Sequence, residues 1–297
     1  GFLFTYSLMN LQAQKFDNAL KGANLLSELY PDEAEVYNLK AGILIRQGQL
    51  EEAKTNIEKA LAQNPTLFPA KFNLAATESR LGNVETSNQL IEELLTLSPQ
   101  HNETLMLKAF NLTKAGKVNE AKQIYLDLLT LTPSNIGARE RLSSLYQQQG
   151  DTKNALYHLD LLIKDDFDNA DYLLRKAALQ LAGNQRADAE KTLSIVRNFI
   201  NDDAGKLIAY ADQARNIGDN EAALDAMARA YEIANTSTFV TLRYISLLLD
   251  LQKNDKAQSL LATIPANQQH KDSHTYCRCE RLMTTRSKIL QSEPKTS

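Results

Sequence analysis

The stretch RQGQLEEAKTNIEKALAQNP, Arg46–Pro65, reads as a polar turn around Gly48, an amphipathic run and a proline stop. The same punctuation returns at RLGNVETSNQLIEELLTLSP (Arg80–Pro99) and KAGKVNEAKQIYLDLLTLTP (Lys114–Pro133), 34 residues further on each time. Outward from the small residue of this run, Ala19, Ala53, Ser87, Ala121, Ala155, Ala189, Ala223 and Ala257 keep the same step of 34, giving eight units without an insertion or deletion. A second ruler is Pro31, Pro65, Pro99 and Pro133, with Phe167 then in the proline's place. The third is a turn glycine at Gly48, Gly82, Gly116, Gly150 and Gly218, with Gly183 arriving one residue early.

Each unit carries two apolar patterns of helical spacing on either side of the turn, such as Tyr37, Ala41 and Leu44, then Leu50, Ala53, Ile57, Ala60 and Leu61. This predicts a helical hairpin. Glycine supplies the left-handed residue that ends the first helix, and proline, which cannot continue a helix, closes the second. Ala41, Ala75, Ala109, Ser143, Ala177 and Ala211 recur in the first helix, where a larger side chain would hold the paired helices apart. One hairpin cannot bury its own apolar face, so neighbours must stack and share a core.

At these residues the chain resembles the tetratricopeptide repeat family, from about residue 1 to 265. The family's alternation of large, small and aromatic positions, ending in Ala and Pro, is matched best by Glu140–Ile163 and Leu207–Asn235. Departures are Lys40, Lys108 and Lys176 where Leu is expected, Gln180 where an aromatic is usual, and the lack of any Trp. The resemblance implies an all-α, right-handed superhelical solenoid of about eight units, near 1–33, 34–67, 68–101, 102–135, 136–169, 170–203, 204–237 and 238–265. A capping helix or the start of a further unit is expected at 266–290, and a disordered tail at 291–297.

The family places its binding groove on the concave inner face of the first helices. The corresponding positions give Leu39, Phe72, Met106 and Phe110 as apolar footing, flanked by Arg46, Arg80 and Lys114, with a second partial row at Arg141, Arg175 and Arg243. Cationic rungs separated by apolar residues suit an extended, acidic protein segment. The competing reading is that cations ending a first helix complement its dipole and stay in solvent. Two groove chemistries of the family are excluded. The carboxylate clamp wants Lys and Asn at the fifth and ninth positions of a unit, where this chain has Asn38 with Gly42 and Phe72 with Ala76. The asparagine ladder wants Asn throughout the sixth position, which here runs Leu39, Asn73, Leu107, Arg141, Arg175, Ala209, Arg243.

Composition narrows the rest. Lys and Arg total 33 against 36 Asp and Glu, so the net charge of −3 provides no general attraction for nucleic acid. No run of 18 apolar residues exists, so no membrane-spanning helix is expected. No phosphate-cradling loop, nucleophile elbow or paired-His zinc helix occurs, and neither an enzyme activity nor a cofactor is expected. His101 falls in a connection and His158 on a second helix, both read as surface residues. His270, His274, Cys277 and Cys279 cluster, but on a ninth first helix the two cysteines point about 160° apart and cannot share one ion, so no metal site is expected.

The expected function is a protein-binding scaffold. Two alternatives stay open: a regulatory or targeting module of a larger enzyme, and a structural solenoid that self-associates through its convex face or its ends. The unit style resembles bacterial envelope proteins of the exosortase (PEP-CTERM) and exopolysaccharide export type, which implies a periplasmic or lipoprotein setting. The opening GFLFTYSLMNLQ looks like a cut made inside a repeat, so a targeting signal is expected upstream.

Overall fold

The computed structural model describes residues 1–264. The expectations for 266–290, for 291–297 and for the His270–Cys279 cluster lie outside the described residues. Within them the chain is helical, with no strand. The units contribute α1 (Phe2–Gln12) with α2 (Phe16–Leu29), α3 (Ala34–Gln47) with α4 (Leu50–Gln63), α5 (Phe68–Leu81) with α6 (Val84–Leu97), and α7 (Asn102–Lys114) with α8 (Val118–Leu131). They continue as α9 (Ile136–Gln148) with α10 (Thr152–Asp165), α11 (Ala170–Ala182) with α12 (Arg186–Phe199), α13 (Ala204–Asn216) with α14 (Asn220–Ile233), and α15 (Thr238–Asp250) with α16 (Asn254–Leu261). The helices form two compact units, Gly1–Leu142 and a second beginning at Ser143, with the division inside α9.

The hairpin turn repeats in backbone geometry more strictly than in sequence. Gly48, Gly82, Gly116, Gly150 and Gly218 have φ between 73° and 93°. Gly183 does not belong to this set, since its φ is −86°. The left-handed residue of that unit is Asn184, φ 57°, and the positions one step of 34 beyond the outer glycines are Gln14, φ 57°, and Gln252, φ 62°. The residue after each left-handed position closes the turn by donating its N–H to a carbonyl five residues back, as Gln49 to Leu44, Gln185 to Gln180 and Lys253 to Leu248 do at 2.8–2.9 Å. That bond satisfies a carbonyl the helix end would otherwise leave open.

The small residues meet where the hairpin helices cross. Ala41, Ala53, Ala75, Ala109, Ala121, Ala155 and Ala177 are fully buried. Where serine replaces alanine, its hydroxyl bonds the opposite helix's backbone: Ser87 Oγ donates to the Ala75 carbonyl at 2.7 Å and Ser143 Oγ to the Ala155 carbonyl at 3.0 Å. Each hairpin then buries the stripe the next one offers. Val36, Leu39 and Ile43 of α3 pack on Ala19, Ala23 and Leu26 of α2, and Ala70 of α5 on Ile57 and Ala60 of α4.

Two polar positions inside this core have side-chain partners. Glu78, 3% exposed, meets Lys54 Nζ at 2.8 Å and accepts from Asn83 Nδ2 at 2.7 Å. Gln180 accepts from Thr192 Oγ1 at 2.8 Å. Two of the lysines that stand in place of leucine each pair with an acid on the preceding second helix, Lys108 with Glu92 and Lys176 with Asp160, both at 2.7 Å.

Candidate partner-binding face

Three arginines of the first helices are held by the hairpin before them at a constant offset. Arg141 lies over the Phe110 ring, 5.6 Å from its centroid, and Phe110 precedes it by 31 residues. Arg175 donates to Ser144 Oγ at 3.1 Å, again 31 residues back, and Arg243 pairs with Asp212 at the same separation. Each bond leaves most of the five guanidinium donors uncommitted. The long side chains are therefore ordered in advance; the charges of Arg141 and Arg175 stay available, whereas that of Arg243 is matched by the Asp212 carboxylate.

A second offset governs the cations at the helix ends. Arg80 Nη1 donates to the Ile45 carbonyl at 2.9 Å and Lys114 Nζ to the Ser79 carbonyl at 3.2 Å, both 35 residues back. The acceptors are last-turn carbonyls of α3 and α5, where a cation offsets the negative helix end. Arg80 and Lys114 thus each bond the end of the preceding unit's first helix rather than standing wholly in solvent. Arg46 is exposed at the end of α3.

The structure brings together Phe110, Lys114 and Arg141. The Lys114 ammonium lies 5.2 Å and the Arg141 guanidinium 5.6 Å from the Phe110 ring centroid. Such cation–π contacts hold both charges beside a half-buried aromatic. Met106 approaches the start of α9, its methyl 3.1 Å from where a Cβ on Gly137 would sit. Phe72 is half-buried with its ring 5.8 Å from that of His101. Arg175 and Arg243 belong to the second compact unit.

Three assignments are corrected. Leu39 is no groove residue: it is 6% exposed and packs with α2. His158 is no surface residue either, being 6% exposed with its ring stacked on Tyr146 at 5.6 Å. His101, read as surface, is half-buried and caps α7, accepting from the Thr104 N–H at 3.3 Å. One inner-face feature went unnoticed in the sequence: Asn73 Nδ2 donates to Asn38 Oδ1 at 2.8 Å, tying successive first helices. Pairing fifth and sixth positions of neighbouring units, rather than inspecting each column alone, is the signal that finds it.

The tetratricopeptide repeat family model matches residues 34–67, the unit that holds the first turn glycine, Gly48. No curated protein sequence matches the chain. Among solved structures, a tetratricopeptide repeat protein from Parabacteroides merdae is similar, with 17% identity, a TM-score of 0.58, and 83% of this chain covered against 97% of that one. Yeast Tom70 has 14% identity and a TM-score of 0.63, covering 94% of this chain and 62% of its own. The Cut9–Hcn1 hetero-tetramer of the APC/C has 14% identity and a TM-score of 0.58, covering 76% of this chain and 45% of its own. At these identities the likeness establishes the fold, which is that of tetratricopeptide repeat solenoids.

Proposed function

We propose that the chain is a protein-interaction scaffold that holds an extended, acidic segment on the inner face of its first helices. The observation that carries this reading is Phe110 flanked by Lys114 and Arg141, an apolar footing with two ordered cations at its edge. Arg80, fixed through Ile45, and Phe72 extend the strip, with Arg46 and Met106 at its margins. Ordering these side chains before binding reduces the entropy lost on association. An anionic segment then gains charge-assisted bonds from donors the fold leaves uncommitted. Arg175 serves the same role in the second compact unit, and Arg243 does so where an incoming carboxylate displaces Asp212 from it. The similar Cut9–Hcn1 structure, a hetero-tetramer, supports a protein as the partner class. The resemblance of the units to envelope export proteins supports the bacterial periplasm as the compartment, and we hold the protein to act there without chemistry of its own.

The test is an array of immobilised peptides graded in charge and apolar content, probed with the chain at low and high salt. Acidic peptides with interspersed apolar residues should be retained, and retention should fall as salt screens the charges. Equal retention of acidic, neutral and basic peptides would contradict the reading.

A further inference from the structure

The seam between α12 and the hairpin that follows it departs from the repeat in two columns. Arg197 stands where steps of 34 give Leu61, Leu95, Leu129 and Ile163, all half-buried. Leu61, Leu95 and Ile163 pack against the cores of their own hairpins, whereas Arg197 is exposed and forms no ion pair among the described residues. Ser194 stands where Glu92 and Asp160 receive Lys108 and Lys176 of the next hairpin, and its hydroxyl donates instead to the Lys191 carbonyl at 2.7 Å. The residue that takes the lysine's place, 16 beyond Ser194, is Tyr210. With neither the aliphatic filler nor the ion pair, the seam opens into a groove of about 610 Å³, whose apolar lining is Leu193, Ala214 and Ile217. Residues of α11 before it and of α15 after it belong to the same core, so hairpins flank the groove on both sides.

Tyr210 borders the groove and is 6% exposed, yet its hydroxyl makes no hydrogen bond among the described residues. A buried donor left without a partner costs free energy that a ligand recovers. Burial pushes the phenol's pKa up, the Arg197 charge pulls it down, and the Asp219 and Asp225 charges push it up again, so a cation and carboxylates all act on this hydroxyl. The charged groups lining the groove differ in what they have to spare. Glu190 is matched by Arg186, whose Nε lies 3.1 Å from it and which also donates to the Ile217 carbonyl. Asp219 Oδ1 accepts the Ala222 N–H at 3.0 Å as the cap of α14, which leaves Oδ2 uncommitted and the charge without an ion pair among the described residues. One cation, Arg197, and one carboxylate, Asp219, are thus available beside Tyr210.

We propose that this groove binds a short zwitterionic peptide of apolar residues. Its terminal carboxylate takes charge-assisted bonds from the Arg197 guanidinium and the Tyr210 hydroxyl, and its terminal ammonium lies against Asp219. Its side chains cover Leu193, Ala214 and Ile217. A ligand carrying only negative charge meets Asp219 unanswered, and one carrying only positive charge leaves the Tyr210 donor without an acceptor. The volume lies within the range of about 300–1,000 Å³ typical of pockets for drug-sized ligands, which suits a peptide of about two or three residues better than a free amino acid. The site shares no residue with the inner-face strip and stands or falls apart from it.

Isothermal titration calorimetry of the chain with leucyl-leucine tests this. The expected result is saturable binding, weakened at least about tenfold by N-acetylation of the peptide, by its C-terminal amidation and by Tyr210→Phe. Tyr210→Phe should leave the thermal midpoint unchanged or higher, because the hydroxyl it removes has no partner within the described residues. Arg197→Leu restores the aliphatic residue of its column and should close the groove, abolishing binding while raising the thermal midpoint. No binding at about 10 mM peptide overturns the proposal, as does binding that survives both substitutions. Equal affinity for the acetylated or the amidated peptide overturns the zwitterion, and free leucine binding as tightly as the dipeptide overturns the peptide in favour of an amino acid.

Discussion

The repeat is held at the residue scale by a backbone conformation rather than by a residue type. At the left-handed position, Gln14 and Gln252 bear a Cβ that glycine lacks, and Asn184 bears one that its short polar side chain makes easier to tolerate. Gln14→Gly and Gln252→Gly should each raise stability by about 0.5–1 kcal/mol, and Asn184→Gly by less, measured by denaturant titration. Unchanged midpoints for both glutamine variants would contradict the strain assigned to those positions. Glu78 supplies a second test. Burial pushes its carboxyl up, but hydrogen bonds from Lys54 and Asn83 and the Lys54 charge outweigh it and hold the group below its ordinary range. A depressed carboxyl contributes stability above the unfolded value, about 4.3, and loses it as pH falls through the folded value. Glu78→Gln should therefore cost about 1–3 kcal/mol at neutral pH. The gap to the wild type should narrow on acidification below pH ~4 as the wild-type carboxyl protonates. A gap independent of pH would show that charge plays no part there. The legibility of these residues was uneven. The spacing of 34 is plain, yet glycine as the marker misplaces the turn at Gly183, because the adjacent Asn184 takes the left-handed position, and it misses Gln14 and Gln252, since glutamine carries no turn signal. Tyr125, which its place on a second helix suggests for the outer face, is instead 1% exposed, in a column with Ile57, Ile91, Leu159, Leu193 and Met227, all buried.

Between elements, the fold depends on close crossing within hairpins and on pairing between them. Ser143→Ala should be nearly neutral, since the same column holds alanine in most units and the Ala155 carbonyl keeps its helical hydrogen bond. Ser143→Val should cost about 1–3 kcal/mol by forcing α9 from α10, read as a lower thermal midpoint. Equal midpoints for the two variants would mean the crossing is not tight. Lys108 and Lys176 looked like defects because a leucine column was being judged by itself. Their acids, Glu92 and Asp160, each lie 16 residues earlier on another helix, so the sequence held the answer only once hairpins were set side by side. The inner-face cations follow the same logic. Their columns were legible, but their ties to Phe110, Ser144 and Asp212 needed the offset of 31 that stacking creates.

For the whole molecule, nearest-neighbour stacking means stability is a sum over hairpins and their interfaces, so unfolding should depart from a single two-state transition. The central claim is that one strip, Arg80 through Phe110 and Lys114 to Arg141, binds an acidic segment. It is tested most directly by titrating a labelled acidic peptide from the array against variants across a salt series. Phe110→Ala should weaken binding by a nearly salt-independent factor, of order 1.5–3 kcal/mol if the ring is fully covered. Arg141→Ala and Arg80→Ala should instead flatten the salt dependence. Binding unaltered by all three, but lost on changing exposed residues of second helices such as Tyr157, would contradict the account and move the partner to the opposite face.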